Sequence, residues 1–130
     1  MIIGIGHDLS SLDRMDKTLH GSLGDRFRAR ILTEREQQLA SAYNGKRLVE
    51  FIAGRFAVKE AVSKAFGCGI GSLLGFRDVE IDREPGGKPI CRLSTEAWHR
   101  LKLPSEEIKI HVSITHDHAI ASAYVIVEHT

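Results

Sequence analysis

The sequence predicts a mixed α+β chain, a small antiparallel sheet packed with helices, and three patterns predict it. Lys109 to Thr115 alternates strictly, with Ile110, Val112 and Ile114 on one side, and after "HDH" the run Ala119 to Val127 reads as its antiparallel partner. Val79 to Asp82 and Ile90 to Leu93 flank "REPGGKP", whose proline and glycines are turn residues, so they read as a hairpin. From Lys46 to Phe66 the apolar residues recur at helical spacing.

The remaining elements follow in chain order. Met1 to Gly6 is short and apolar, which fits a buried strand stopping near His7 and Asp8 in a polar corner. Ser10 or Ser11 caps a short helix running towards Leu19. Thr33-Glu34-Arg35-Glu36 is a capping box, and Asn44-Gly45 would close the helix it opens. The glycines of "GCGIGSLLG" make a loop after Phe66, and Thr95 caps a short helix carrying Trp98. No internal repeat, low-complexity segment or linker interrupts the chain, so residues 1–130 read as one domain.

Composition narrows the function classes. The chain has 130 residues, 42% of them hydrophobic and 27% charged, which suits one core of modest size. A formal net charge of +1 gives no whole-molecule reason to expect nucleic acid or membrane as a partner, so charge must act locally. No apolar run reaches the roughly 18 residues of a spanning helix, and "MIIGIGHDL" lacks the basic region and cleavage site of a signal peptide. The expected location is the cytosol. Cys68 and Cys91 then read as free thiols without a role.

The most informative stretch is "FAVKEAVSKAF", residues 56 to 66. At about 100° per residue, Phe51, Ile52, Phe56, Val58, Val62 and Phe66 gather on one broad side of a helix, with Ala53, Ala57 and Ala61 on the other. Arg55 and Lys59 fall within the bulky side, where Lys59 fits a snorkelling or structural lysine. Glu60 and Lys64 stand one turn apart beside the alanines, where another backbone can approach closely. On spacing alone the simplest reading is an i,i+4 ion pair at the surface, worth about 0.2 to 0.5 kcal/mol. Against it stands the near absence of a polar side, because a helix apolar almost all round is usually buried and its charges then need partners.

Asp8, at the expected end of the first strand, reads first as a turn or capping residue. If it converged with Glu60, the two carboxylates would supply hard oxygen ligands for a Mg²⁺ that keeps positions open for water and phosphate, with Lys64 as a neutralising cation. Sequence distance does not decide that convergence. Competing motifs are weak: "GIGHDL" lacks the third glycine of a dinucleotide fingerprint, and "GCGIG" follows a helix instead of a strand. His111, His116 and His118 have no accompanying zinc-ligand spacing. Arg26, Arg28 and Arg30 read as solvated charge or as a docking patch for an acidic partner.

Taken together, "GIGHDL", "FIAGRFAVKEAVSKAFGCGIG", "GGKP" and "HVSITHDHAIASA" closely resemble the holo-acyl-carrier-protein synthase family, the small bacterial phosphopantetheinyl transferases, over nearly the whole chain. The resemblance implies the phosphopantetheinyl transferase fold, assembly as a homotrimer with sites between subunits, and transfer of 4′-phosphopantetheine from coenzyme A to a serine of apo acyl carrier protein in fatty acid biosynthesis. It also implies Mg²⁺, held by Asp8 and Glu60 with the coenzyme A pyrophosphate, and Lys64 on a pyrophosphate oxygen. The serine proton would pass to Glu60 or to a metal-associated water. Arg55, Gly87, Lys88 and His111 match positions that contact the nucleotide and its 3′-phosphate, and Arg14 with Arg26, Arg28 and Arg30 matches the region that docks the acidic helix of the carrier protein. One residue departs from the pattern: His7 stands where the family usually has threonine before the aspartate.

Overall fold

The computed structural model describes all of residues 1–130. Five strands and five α-helices follow in the order β1 (Ile2–Ser11), α1 (Leu12–His20), α2 (Gly24–Ile31), α3 (Glu34–Ala40), α4 (Gly45–Ala65), β2 (Val79–Arg83), β3 (Pro89–Leu93), α5 (Thr95–Leu101), β4 (Ile108–His116) and β5 (Ile120–His129). β1, β5 and β4 form one antiparallel sheet in that order, and β2 with β3 forms a separate hairpin. The expected hairpin and the expected β4–β5 pair are both present. No helix is long and apolar enough to cross a membrane.

The 21-residue helix α4 is the spine of the molecule. It packs against β1 and β5, and its alanine side meets β1 at very short range. A Cβ on Gly4 would lie 1.7 Å from the Ala65 carbonyl oxygen, and one on Gly6 would lie 1.8 Å from that of Ala61. Only glycine permits this approach, since any side chain would occupy the helix backbone itself. Core residues from both surfaces close the contact: Ala57, Ala61 and Val62 of α4 pack with Val125 and Val127 of β5 and with Ile81 of β2. A second cluster, built on Leu12, Met15, Ile31, Leu32, Val49 and Ile52, joins α1 and α2 to the first half of α4.

Several expectations are corrected. β1 does not end near His7 but runs to Ser11, with Asp8 opposite Ala123 in β5. There is no polar corner, because the alternation of the strand continues: Gly6 and Ser10 are buried and Asp8 half-buried, while Ile5, His7 and Leu9 are exposed. Asp8 is therefore neither a turn residue nor a cap; Ser11 caps α1, accepting from the Arg14 amide. The capping box at Thr33 and Glu36 is formed, but its helix ends at Ala40, and Gly45 opens α4. Residues 24–31 form a helix where none was expected, because its N-cap, Leu23, carries no capping side chain. A smaller shift is that Ser94, not Thr95, caps α5.

Lys59 does not snorkel. Its side chain is fully buried, and Nζ donates to the Ile31 carbonyl and to Glu36 Oε1, each at 2.5 Å. The other Glu36 oxygen accepts from the Ile81 amide at 2.9 Å. One ion pair thus ties α4 to the end of α2, to α3 and to β2. Burial pulls the Lys59 ammonium below its ordinary range, and the Glu36 charge opposes that shift.

Candidate active site

Because β1 keeps its period of two past Gly6, Asp8 faces α4 on the same side as the two glycines. The close approach those glycines allow brings Asp8 within reach of the Lys64 side chain. Lys64 Nζ lies 2.7 Å from Asp8 Oδ1 and 3.2 Å from the His7 carbonyl oxygen. Glu60 lies one turn earlier on α4, half-buried. Burial raises its carboxyl above the usual range, the Asp8 charge raises it further, and the Lys64 charge opposes them. The Asp8 charge reaches Glu60, and the Lys64 ion pair is with Asp8 instead of Glu60.

Asp8 and Glu60, whose carboxyl the Asp8 charge raises, are a donor pair that a cation could use. They suit Mg²⁺, which takes one or two carboxylates and fills its remaining positions with waters and phosphate oxygens. No group of three or more His, Cys, Asp or Glu side chains is assembled as a metal cage. His111 and His116 are occupied separately, His111 Nε2 with Glu128 at 3.0 Å and His116 Nδ1 with Glu50 at 3.6 Å.

Arg55 stands elsewhere on α4 in a cationic cavity. It is only 3% exposed, its guanidinium lies 3.7 Å from the centre of the Phe51 ring, and Nε is buried without a partner. Burial pulls it down to about 10, and the Glu36 charge opposes that. Arg47 and Arg83 line the same cavity with Tyr43 and His116. Three guanidiniums, one of them holding an unused donor, make a site for an anion such as phosphate. The family resemblance singled out Arg55 but not Arg47 or Arg83. Arg47 is two helical turns from Arg55, a signal that was available, whereas Arg83 arrives only through the hairpin.

Lys88 and His111 line a different hollow, formed where β3 lies beside β4, together with Pro89, Ile90 and Val112. Gly87, at φ 94° in the hairpin turn, offers its carbonyl to Arg83 Nη1 at 3.0 Å. The four proposed nucleotide contacts are thus divided in one chain: Arg55 in one cavity, Lys88 and His111 in another, and Gly87 linked to the first through Arg83.

Arg14 is exposed on α1, and Arg26 is exposed on α2. Arg26 and Arg30 share one hollow with Leu23 and Phe27, while Arg28, two residues on, points to another side of the helix. On the far side of the main sheet, Ile5, Leu9, Ile120, Tyr124 and Ile126 form an exposed apolar face. His7 lies in it, stacked on its cross-strand neighbour Tyr124 with ring centres 4.0 Å apart, its Nε2 3.0 Å from Ser122 Oγ.

Known proteins share this sequence and fold. Residues 4–125 match the family model of the 4′-phosphopantetheinyl transferase superfamily. A holo-[acyl-carrier-protein] synthase of Bacillus cytotoxicus is 45% identical over 128 residues, 98% of this chain and 97% of that protein. One from Bacillus cereus is 46% identical over the same shares. Among solved structures, the holo-(acyl-carrier-protein) synthase of Bacillus anthracis in complex with CoA (3′,5′-ADP) superposes with a TM-score of 0.85 at 44% identity, covering 100% of this chain and 99% of that one. The Helicobacter pylori synthase in complex with coenzyme A gives 0.81 at 34% identity, covering 95% and 99%. With the family model matching residues 4–125 and a relative 45% identical over 98% of this chain, the chain belongs to the holo-[acyl-carrier-protein] synthase family of 4′-phosphopantetheinyl transferases.

Proposed function

We propose that the chain transfers 4′-phosphopantetheine from coenzyme A to a serine hydroxyl of apo acyl carrier protein, releasing adenosine 3′,5′-bisphosphate and supplying fatty acid biosynthesis with holo carrier. The observation that carries this reading is the Asp8–Lys64 pair at the junction of β1 and α4, with Glu60 one turn before Lys64 and acted on by both charges. Asp8 and Glu60 would hold Mg²⁺, which would supply Lewis-acid charge neutralisation to the pyrophosphate. Lys64 places its ammonium on a pyrophosphate oxygen and stabilises the charge that develops there. Glu60, made more basic by burial and by Asp8, accepts the serine proton directly or through a water. Arg55, with Arg47 and Arg83, takes the nucleotide 3′-phosphate, and Gly87, Lys88 and His111 line the nucleotide's path.

The chain works as a homotrimer. Two observations support this: the apolar outer face of the main sheet, a contiguous patch of the kind that marks an interface, and the division of the nucleotide contacts between two cavities of one chain. Arg14, Arg26 and Arg28 dock the acidic carrier, and opposite charge speeds that encounter. The compartment is the cytosol, where Cys68 and Cys91, both free, remain thiols.

Intact-mass spectrometry tests the reaction. Incubated with coenzyme A, Mg²⁺ and an apo carrier protein, the carrier is expected to gain the mass of one phosphopantetheine. No gain with any of several carriers would overturn the transfer reading, and consumption of coenzyme A without carrier would point to a hydrolase. Sedimentation of the free protein tests the trimer, which a monomer at micromolar concentration would contradict.

A further inference from the structure

The ammonium of Lys64 occupies one of the two Asp8 carboxylate oxygens that a cation at this site would use. Its shortest contact is Asp8 Oδ1 at 2.7 Å, and its second is the carbonyl of His7, also on β1. Asp8 is 18% exposed and Lys64 52%, so the carboxylate is held in place while the lysine head is free to leave. Lys64 is anchored to nothing else by hydrogen bond, in contrast to Lys59, which has two buried acceptors.

We propose that Lys64 is a built-in competitor of the divalent cation at Asp8, so that metal and pyrophosphate bind to this chain cooperatively. This deepens the proposed function and rests on its assignment of Asp8 as a metal ligand. An ammonium and a dication cannot both take Oδ1 at full strength. Cation binding to the protein alone therefore carries the cost of breaking the Lys64 pair. A pyrophosphate offers the displaced ammonium a new anionic partner and removes that cost. By linkage the coupling is reciprocal: whatever coenzyme A adds to metal affinity, metal adds to coenzyme A affinity.

The experiment measures Mn²⁺ binding to the whole protein by the loss of the free-ion electron paramagnetic resonance signal, so it does not depend on turnover. Lys64→Met is expected to tighten Mn²⁺ binding about twofold to fivefold in the absence of coenzyme A, the worth of one half-exposed ion pair. Lys64→Gln is expected to do the same with a polar side chain. Lys17→Met removes an equal charge from an exposed pair with Asp13 and is expected to change nothing. Coenzyme A is expected to tighten Mn²⁺ more than adenosine 3′,5′-bisphosphate, which lacks the pyrophosphate, and Lys64→Met is expected to shrink that difference. Unchanged or weaker Mn²⁺ binding in both Lys64 variants would overturn the competition. Asp8→Asn separates the two levels: if it leaves Mn²⁺ binding unchanged, the metal-site reading itself fails, whereas weakened binding in Asp8→Asn without tightening in Lys64→Met sinks the competition alone.

Discussion

Helix α4 carries two lysine–carboxylate pairs five residues apart that have opposite uses. Lys59 and Glu36 are both fully buried, and every strong contact they make is internal: Nζ to Glu36 and Ile31, Glu36 to the Ile81 and Thr33 amides. Lys64 and Asp8 meet at the same kind of distance, but the lysine is half exposed and the pair borders solvent. Burial decides the difference. In the interior, breaking one pair strands a charge that no water can reach, so the pair is fixed and sets where α4 lies. At the surface the two charges gain little from each other and can exchange partners, which a substrate site requires.

The comparison breaks most sharply at Lys59. Lys59→Met leaves Glu36 buried without its cation and is expected to cost about 3 to 5 kcal/mol in urea unfolding. A loss below 1 kcal/mol would mean that the pair does not fix the helix. Gly6→Ala is the next largest change. Its Cβ would meet the Ala61 carbonyl at 1.8 Å, so β1 must move off α4, at a cost of about 1 to 3 kcal/mol. Transfer activity is expected to fall further than stability, because Asp8 moves with β1; equal effects on both would detach the glycine contact from the site.

A smaller effect concerns Glu60 and pH. Its carboxyl is raised in the folded protein, first by burial and then by Asp8, so folding favours the protonated form. The stability this group contributes is complete at low pH and is lost as pH rises through the raised folded value. Glu60→Gln is therefore expected to melt slightly higher than the parent at neutral pH, by about 1 to 2 °C, with the gain vanishing as the buffer is acidified through the carboxylate range. A gain that grows on acidification would have the wrong sign. The smallest effect is on docking: Arg26→Glu is expected to slow carrier association severalfold at low salt, with the difference fading above 0.2 M or so as the Debye length shrinks. An equal loss of coenzyme A affinity would remove Arg26 from the docking surface.

Much of the site was legible because its residues come from one helix. Spacing along α4 set Glu60 and Lys64 on the alanine side and anticipated close approach by another backbone, which Gly4 and Gly6 supply. The hairpin and the β4–β5 pair were legible from alternation and turn residues. What the sequence hid depends on partners distant along the chain. Lys59 read as a snorkelling or a structural lysine, and nothing local reveals that its partner is Glu36 across the core. Asp8 looked like a corner residue, because hydropathy drops at His7 while the strand's period and its pairing with β5 continue. Helix α2 begins without a capping side chain, so its onset is set by packing on α1 and not by a local signal.

The central claim is that Asp8, Glu60 and Lys64 form a metal-dependent transfer site on a helix that the Lys59 pair holds in place. Single-turnover transfer by Glu60→Gln, measured at saturating Mg²⁺ and coenzyme A with the fold checked by circular dichroism, tests it most directly. The account predicts a loss of about 10²-fold to 10⁴-fold in rate with the helix content unchanged. A rate near that of the parent would contradict it.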